Sequence, residues 1–208
     1  IDPFLLWKSP AMQDQSLRTA VVNSFNHLGV LVATGRQKEA VSILMAASEC
    51  PEIGLGHSKS RQGHRIGETA TETILQLFLD HPVARVRGFV HFEEIQFYVD
   101  GIGPDRISDI TATFLKSFLI DYTIDQCAAL GIPLQNVTVR DVYCYETNRL
   151  KGESVSLPAN PQTGQPILLT PKRWLRRSHW INPDDFFRDC VPSEAKTGGK
   201  NRARESKS

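Results

Sequence analysis

The sequence predicts an α+β domain, in which N-terminal helices and a long helix precede a three-stranded antiparallel meander and a short C-terminal helix. Three observations support this prediction. Apolar residues recur at steps of three and four in the first part of the chain, which is typical of amphipathic helices. The same spacing returns between about residues 105 and 130. After residue 134, β-branched and alternating runs are separated by turns that carry Asn, Gly and Pro, as in antiparallel strands.

The composition is that of an ordinary folded domain. The 208 residues are 40% hydrophobic and 23% charged, which allows a sizeable core. The formal net charge of +1 argues against polyanion binding by the whole surface, although basic residues are concentrated in 171–177 and 196–208. The four cysteines lack the paired spacing of a zinc site. No apolar run reaches the roughly 18 residues of a membrane span, so we expect a cytoplasmic protein without membrane contact.

The first long helix is predicted from Met12 to about residue 34. One face of it carries the apolar residues Leu17, Val21, Phe25, Leu28 and Val32. Gly35 ends this helix, because glycine readily adopts the left-handed conformation of a helix C-terminus. A second helix follows and stops at Pro51. We predict that the two helices form a hairpin, residues 1–52, as an N-terminal domain.

Residues 53–67 are rich in Gly, Ser and basic side chains, which excludes a regular element there. One interpretation is a solvated loop. The other is a phosphate-binding loop, since basic side chains and backbone N–H groups before a helix can hold a phosphate. In that interpretation Lys59, Arg61 and Arg65 bind nucleic acid. A helix follows, closed by His81, and residues 83–99 fit a strand or a helix, with a helix from Phe89 favoured.

Residues 101–109, here called the aspartate turn, contain two glycines, a proline and two aspartates. They precede a helix predicted from about Asp105 to Leu130. One interpretation is structural: Asp105 caps the helix and complements its dipole, and Asp109 is solvated. The other is functional. Asp105 and Asp109 share one helical face, and the repulsion between them needs a Mg²⁺ ion or a basic partner to offset it.

The last third of the chain predicts strands at 136–146, 153–159 and 165–171. A turn and a short final helix follow, at about 178–190. We therefore predict a main α+β domain at 53–190. Residues 191–208 lack aliphatic bulk and are predicted to be a disordered basic tail.

Several strings in this region resemble a group of largely uncharacterised bacterial proteins, several of them encoded among phage-defence genes. The resemblance is carried by "GIGPDRISDITATF", by "PILLTPKRWL" and by "WINPDDF". The glycine-rich "GLGHSKSRQGHRIG" resembles their N-terminal loop. The resemblance covers about residues 50 to 185 and implies a bacterial origin and a role in antiviral defence.

The predicted order of a helix with acids, three antiparallel strands and a helix also resembles nucleases of the PD-(D/E)xK type. In those enzymes acids hold Mg²⁺, and a lysine on the third strand helps to activate water. The resemblance implies Asp105, Asp109 and Lys172 as catalytic residues, with Asp105 and Asp109 as the metal ligands. This chain departs from the pattern because Thr170 stands where an acid is required two residues before Lys172.

Basic residues after the third predicted strand surround two tryptophans, Trp174 and Trp180. Arg173, Arg176 and Arg177 are therefore predicted to bind nucleic acid, because such a mixture suits phosphate neutralisation and base stacking. The same residues also suit a protein interface, and both tryptophans also suit a core. The leading functional hypothesis is a defence-associated protein that engages nucleic acid, as a Mg²⁺-dependent nuclease or a degenerate nuclease subunit. The alternative is a non-catalytic subunit that binds a partner protein of the same system.

Overall fold

The computed structural model describes residues 1–54 and 66–176, all of which belong to one compact unit. The domain boundaries predicted at residues 52 and 190 stay predictions. No helix in the described part of the chain is long and apolar enough to cross a bilayer. The elements are α1 (Pro3–Lys8), α2 (Met12–Ala33), α3 (Gln37–Ala47), α4 (Glu68–Asp80), α5 (Pro82–Arg87), the 3₁₀ helix η1 (Phe92–Phe97), α6 (Pro104–Phe114), α7 (Lys116–Leu130), β1 (Gln135–Cys144), β2 (Arg149–Leu157) and the 3₁₀ helix η2 (Lys172–Trp174).

The helices α2 and α3 confirm the first two predicted helices. The turn between them uses Gly35 in the left-handed region, at φ 77°. Both helices bury their apolar face in the same core as α4 and α6. The N-terminal helices thus form one wall of the core.

An aromatic cluster joins α2 to α4 and to the segment before η1. The ring of Phe25 lies 5.5 Å from that of Phe78 and 4.9 Å from that of Phe92. Phe89 completes the cluster at 5.2 Å from Phe78. It does not begin a helix, contrary to the favoured prediction, because Asn26 both donates to and accepts from its backbone. Such aromatic pairs add to the free energy gained from burial alone.

The prediction of one helix from Asp105 to Leu130 is wrong, because the chain bends at Leu115 and forms α6 and α7. Leu115 is fully buried. The carbonyl oxygen of Phe114 accepts a hydrogen bond from the hydroxyl of Tyr145 in the β1–β2 turn. A contact made by a residue far along the chain therefore occupies the carbonyl at which α6 ends.

The predicted three-stranded meander is also wrong, because the sheet has two strands in the described part of the chain. β1 and β2 pair antiparallel, with a bulge between Val139 and Val142. Residues 165–171 form no third strand. Ile167 donates to the carbonyl of Pro158 after β2, which leaves an isolated bridge, but Leu168 donates to the carbonyl of Glu52 and Leu169 to the hydroxyl of Thr123. Two prolines in this stretch have no N–H group to offer a neighbouring strand. The predicted final helix and tail lie outside the described residues.

We expect Gly29→Ala to lower the free energy of unfolding by about 1–3 kcal/mol, since overpacking a core strains it. A Cβ at Gly29 would lie 2.4 Å from the ring of Phe78, at the α2–α4 contact. Urea denaturation measures the loss. Gly152→Ala is the control, because a Cβ there meets only the carbonyl oxygen of Val139, at 3.8 Å. Equal stability of the Gly29 variant and wild type would show that α2 and α4 do not pack as described.

Candidate functional site

The aspartate turn begins α6 as the sequence predicted, but its cap differs. Gly103 is the N-cap residue, Pro104 follows at the start of the helix, and no side chain makes a capping hydrogen bond. Asp105 lies exposed in the first turn, where its charge complements the helix dipole. Asp105 therefore stabilises the start of α6 through its charge, as the dipole part of the capping interpretation predicted.

Asp109 has a different environment from Asp105. It is half-buried, and burial raises the pKa of its carboxyl group to about 6. Glu49 and Asp105 raise this pKa further, while Arg106 lowers it. The adjacent Ser108 accepts a hydrogen bond from the backbone nitrogen of Ile1. A carboxyl group that titrates near neutral pH is able to exchange a proton under physiological conditions.

The structure does not join Lys172 to the two aspartates. Lys172 is exposed in η2, and it makes no hydrogen bond or ion pair with Asp105 or Asp109. Within residues 1–54 and 66–176, no group of three or more His, Cys, Asp or Glu side chains is arranged to hold a metal ion. The joint catalytic role of these three residues stays a prediction.

The segment after Lys172 is held against α2 by a charged pair. Arg173 donates two hydrogen bonds of 2.8 Å to the carboxylate of Asp14, which is fully buried. The bond from Arg173 is the largest cause that lowers the pKa of Asp14 to about 2, and the hydroxyl of Ser9 contributes. This two-bond geometry suits a guanidinium and a carboxylate. Asp14 thus stays ionised at any physiological pH.

A second pair extends this clamp to α1. Arg176 lies 2.8 Å from the carboxylate of Asp2, and its guanidinium lies over the ring of Phe4. The backbone N–H of Asp2 donates to the carbonyl of Trp174 at 3.0 Å. Trp174 is fully buried, with its ring 5.4 Å from that of Phe118. Of the three interpretations open for Trp174, the structure shows the core. The other predicted nucleic-acid-binding residues, Lys59, Arg61, Arg65 and Arg177, lie outside the described residues.

A buried polar cluster was not predicted from the sequence. Lys116, at the first position of α7, is 1% exposed and lies 3.2 Å from the carboxylate of Glu52. It also donates to the carbonyl of Arg140 at 3.0 Å. The thiol of Cys50 contacts Glu52 at 3.5 Å, and burial raises the pKa of that thiol to about 12. The sequence feature that could have indicated this cluster is the lysine within the apolar run "FLKSFL".

Together these residues form a polar seam between α6–α7 and the end of α3. Asp109, Thr113 and Lys116 follow one another along the α6–α7 side at helical spacing. Thr113 donates to the carbonyl of Glu49 across the seam. On the α3 side, Ser48 accepts from the backbone N–H of Ile66 at 2.9 Å. The seam therefore anchors both flanks of residues 55–65, on one side through Glu52 and on the other through Ile66.

A groove of about 550 Å³ lies between α2 and the β1–β2 turn. Its lining consists of Ala20, Asn23, Ser24, Asn26, His27, Val30, Tyr145 and Asn148. Several of the polar groups have internal partners: Asn26 holds Phe89, and Asn148 accepts from Tyr143 at 3.0 Å. The lining has no Lys, Arg, Asp or Glu side chain, so nothing in it neutralises a phosphate.

Separating Glu52 from Lys116 should be strongly destabilising. We expect Glu52→Met or Lys116→Met alone to lower the free energy of unfolding by about 3–5 kcal/mol, because each leaves an uncompensated buried charge. The double variant Glu52→Met with Lys116→Met should recover much of that loss. Urea denaturation of the double-mutant cycle measures the coupling. As a control, Lys151→Met breaks the exposed pair with Glu153 and should leave stability almost unchanged.

The raised pKa of Asp109 predicts that the free energy of unfolding decreases as the pH rises. The folded-state pKa of about 6 exceeds the unfolded value, so ionisation of Asp109 destabilises the fold as pH rises from about 4 to 6. We expect Asp109→Asn to raise the free energy of unfolding by about 2–3 kcal/mol at pH 8, and by much less at pH 3.5. Urea denaturation at both pH values measures this. Asp105→Asn, one turn away and exposed, is the control, and a pH-independent effect at Asp109 would contradict the prediction.

No curated protein and no solved structure matches the chain. The family model described as Domain of unknown function (DUF8370) matches residues 1–182. Since this match covers most of the 208 residues and all the elements described above, the chain belongs to that family.

Proposed function

We propose that this domain is a non-catalytic interaction subunit of a multi-protein bacterial defence complex. The proposal rests mainly on the observation that the arginines of the basic segment 171–177 that the structure describes pair with carboxylates of the same chain. Arg173 holds the buried carboxylate of Asp14, and Arg176 holds Asp2. To reach a phosphate, Arg173 would have to leave Asp14 as an unpaired buried charge, which is costly. The arrangement favours a structural role for these two arginines over nucleic-acid binding.

The acidic residues support the same proposal. A Mg²⁺ site needs ionised carboxylates that converge on one ion. Asp105 is exposed, whereas burial favours the protonated form of Asp109. Lys172 makes no contact with either. These environments fit a charge-bearing surface turn better than a preformed catalytic centre.

An exposed apolar surface supports binding to protein. Large apolar side chains from α4, α5 and the residues around η1 are solvent-exposed. Five of them are here called the α5 surface: Leu79, Val83, Val86, Val90 and Tyr98. Val86 is 84% exposed. Apolar residues clustered on the outside of a domain are typical of interaction sites.

The placement in a defence complex rests on the resemblance of the aspartate turn and of "PILLTPKRWL" to bacterial proteins encoded among phage-defence genes. Of the two hypotheses that the sequence left open, the non-catalytic subunit is the one that the described contacts favour.

The proposal predicts assembly without cleavage. The full chain, mixed with the purified products of the genes that flank its own, should co-elute with one of them on size exclusion. Incubated with plasmid DNA or RNA and Mg²⁺ or Mn²⁺, it should cleave neither. Lys172→Ala should leave assembly unchanged, because Lys172 holds no other residue in place.

Two results would overturn the proposal. One is metal-dependent cleavage that EDTA, Asp109→Asn and Lys172→Ala each abolish, which would restore the nuclease hypothesis. The other is the lack of any complex with the flanking gene products when circular dichroism shows that the chain is folded.

A further inference from the structure

We infer that the groove between α2 and the β1–β2 turn, here called the α2 groove, binds the main chain of an extended, uncharged peptide segment of a partner protein. The inference rests on the proposed function, since it states the chemistry of the partner that an interaction subunit would hold. Two observations carry it. Neutral amide side chains with unused hydrogen-bonding groups lie on both walls of the groove, and another amide of α2 already holds a backbone segment of this chain.

One wall of the α2 groove is a single face of α2. The residues that line it follow one another at steps of three and four: Ala20, Asn23, His27 and Val30. At a rise of about 1.5 Å per residue, the stretch from Ala20 to Val30 extends over about 15 Å. An extended chain advances by about 3.3 Å per residue, so the groove matches about five residues of peptide.

The opposite wall is anchored by the fold. The hydroxyl of Tyr145 donates to the carbonyl of Phe114, and the hydroxyl of Tyr143 donates to Oδ1 of Asn148 at 3.0 Å. The bond to Oδ1 fixes the side-chain amide of Asn148, whose Nδ2 has no hydrogen-bond acceptor within the described part of the chain. This wall therefore offers a positioned N–H donor beside an aromatic ring.

Asn26 shows how an amide on α2 holds a polypeptide backbone. Its Nδ2 donates to the carbonyl of Phe89 at 2.9 Å, and its Oδ1 accepts from the N–H of the same residue at 2.8 Å. An asparagine side chain carries both the donor and the acceptor that the main chain of one residue needs. Asn23, three residues earlier on α2, is exposed and makes no hydrogen bond among the described residues. It is able to hold one residue of an external peptide with the same two bonds.

The α2 groove offers nothing to neutralise a charged ligand. Among the described residues that line it there is no Lys, Arg, Asp or Glu. Burial lowers the pKa of His27, and the nearby Arg36 lowers it further against the opposing effect of Glu39. The imidazole is therefore neutral at physiological pH and offers one donor and one acceptor. Peptide groups, which are polar but uncharged, suit such a lining.

The α2 groove is open to solvent along its length. Asn23 is exposed, and the exposed fractions of Val30 and Tyr145 are 55% and 38%. Sites for small molecules usually enclose most of the surface of their ligand. An open groove with hydrogen-bonding groups on both walls instead suits a chain that continues beyond its ends, and main-chain hydrogen bonds supply affinity in other modes of peptide recognition.

Titration of the isotope-labelled full chain with the capped peptide acetyl-Thr-Ala-Val-Ala-Thr-amide, followed by nuclear magnetic resonance, tests the inference. The side-chain amide signals of Asn23 and Asn148 and the backbone signals of His27 and Tyr145 should shift saturably. We expect half-saturation at about 1 mM, as befits a few neutral hydrogen bonds. The same peptide with a fully N-methylated backbone lacks the N–H donors and should cause no saturable shift.

Nearly isosteric variants test the amides themselves. Asn23→Asp with Asn148→Asp removes both NH2 groups, while the carboxylate at position 148 still accepts from Tyr143. This double variant should bind the peptide at least about tenfold more weakly. Asn136→Asp is the matched control, because Asn136 is exposed on β1 outside the groove and its Oδ1 accepts from Ser154 at 2.7 Å. It should bind like wild type, and thermal melts confirm that each variant is folded.

Three results would overturn the inference. One is the lack of any saturable shift at the lining residues up to about 10 mM peptide, ten times the expected half-saturation. Another is an equal response to the N-methylated peptide, or equal binding by the double variant. The third is a response of the same signals to adenosine and none to the peptide, since the groove would then be a small-molecule site.

The peptide titration and the assembly assay fail separately. A chain that binds the peptide but co-elutes with no flanking gene product keeps the groove and contradicts the proposed function. A chain that co-elutes but does not bind the peptide overturns the inference alone. Where both assays succeed, the double variant should also lose its co-elution, and a complex that it retains would show that the partner binds elsewhere.

Discussion

The buried ion pair between Glu52 and Lys116 is the interaction on which the rest of this structure most depends. Lys116 begins α7 immediately after the bend at Leu115, and it also holds the carbonyl of Arg140 at the bulge of β1. The backbone carbonyl of Glu52 accepts from Leu168, which fixes the extended segment after the sheet. Three parts of the chain distant in sequence thus meet at one pair, and each buried charge restricts where the others can lie.

Three buried charged residues in the described part of the chain serve to position it. Asp14, Glu52 and Lys116 are buried, and each has a partner of opposite charge at hydrogen-bond distance. Ionised groups in a core are tolerated only when they are paired in this way. Asp109 departs from the pattern, because burial leaves its carboxyl group short of compensation. It is therefore the described residue of the aspartate turn whose chemistry the fold alone does not explain.

The sequence allowed prediction of the elements that depend on local signals. Periodicity and Gly35 located α2 and its end, and Gly103 with Pro104 located the start of α6. The failures came from contacts between distant residues. Nothing near Leu115 indicates a bend, since the Tyr145 hydroxyl that engages the neighbouring carbonyl is 31 residues away. The segment 165–171 has a composition typical of a strand. However, the N–H groups of Leu168 and Leu169 donate to Glu52 and Thr123.

Sequence reasoning could not show what the basic residues of the candidate site contact, for a related reason. Basic residues beside tryptophan give the same pattern whether they bind a phosphate or an internal carboxylate. Whether Arg173 binds an internal carboxylate depends on Asp14, which is 159 residues away in α2. Conversely, the sequence around Lys116 predicts an ordinary amphipathic helix. The structural role of Lys116 becomes evident only from its burial in the fold.

The bond between Arg173 and Asp14 also bears on how the chain folds during synthesis. Asp14 leaves the ribosome before its partner, which follows 159 residues later. Until then α2 carries a carboxylate whose burial has no cationic partner, and this disfavours the final packing of α2. Contacts that span so much of the chain are formed late and slow folding. A nascent chain of this protein would therefore expose the apolar face of α2 while those 159 residues are synthesised, which is the condition under which chaperones are recruited.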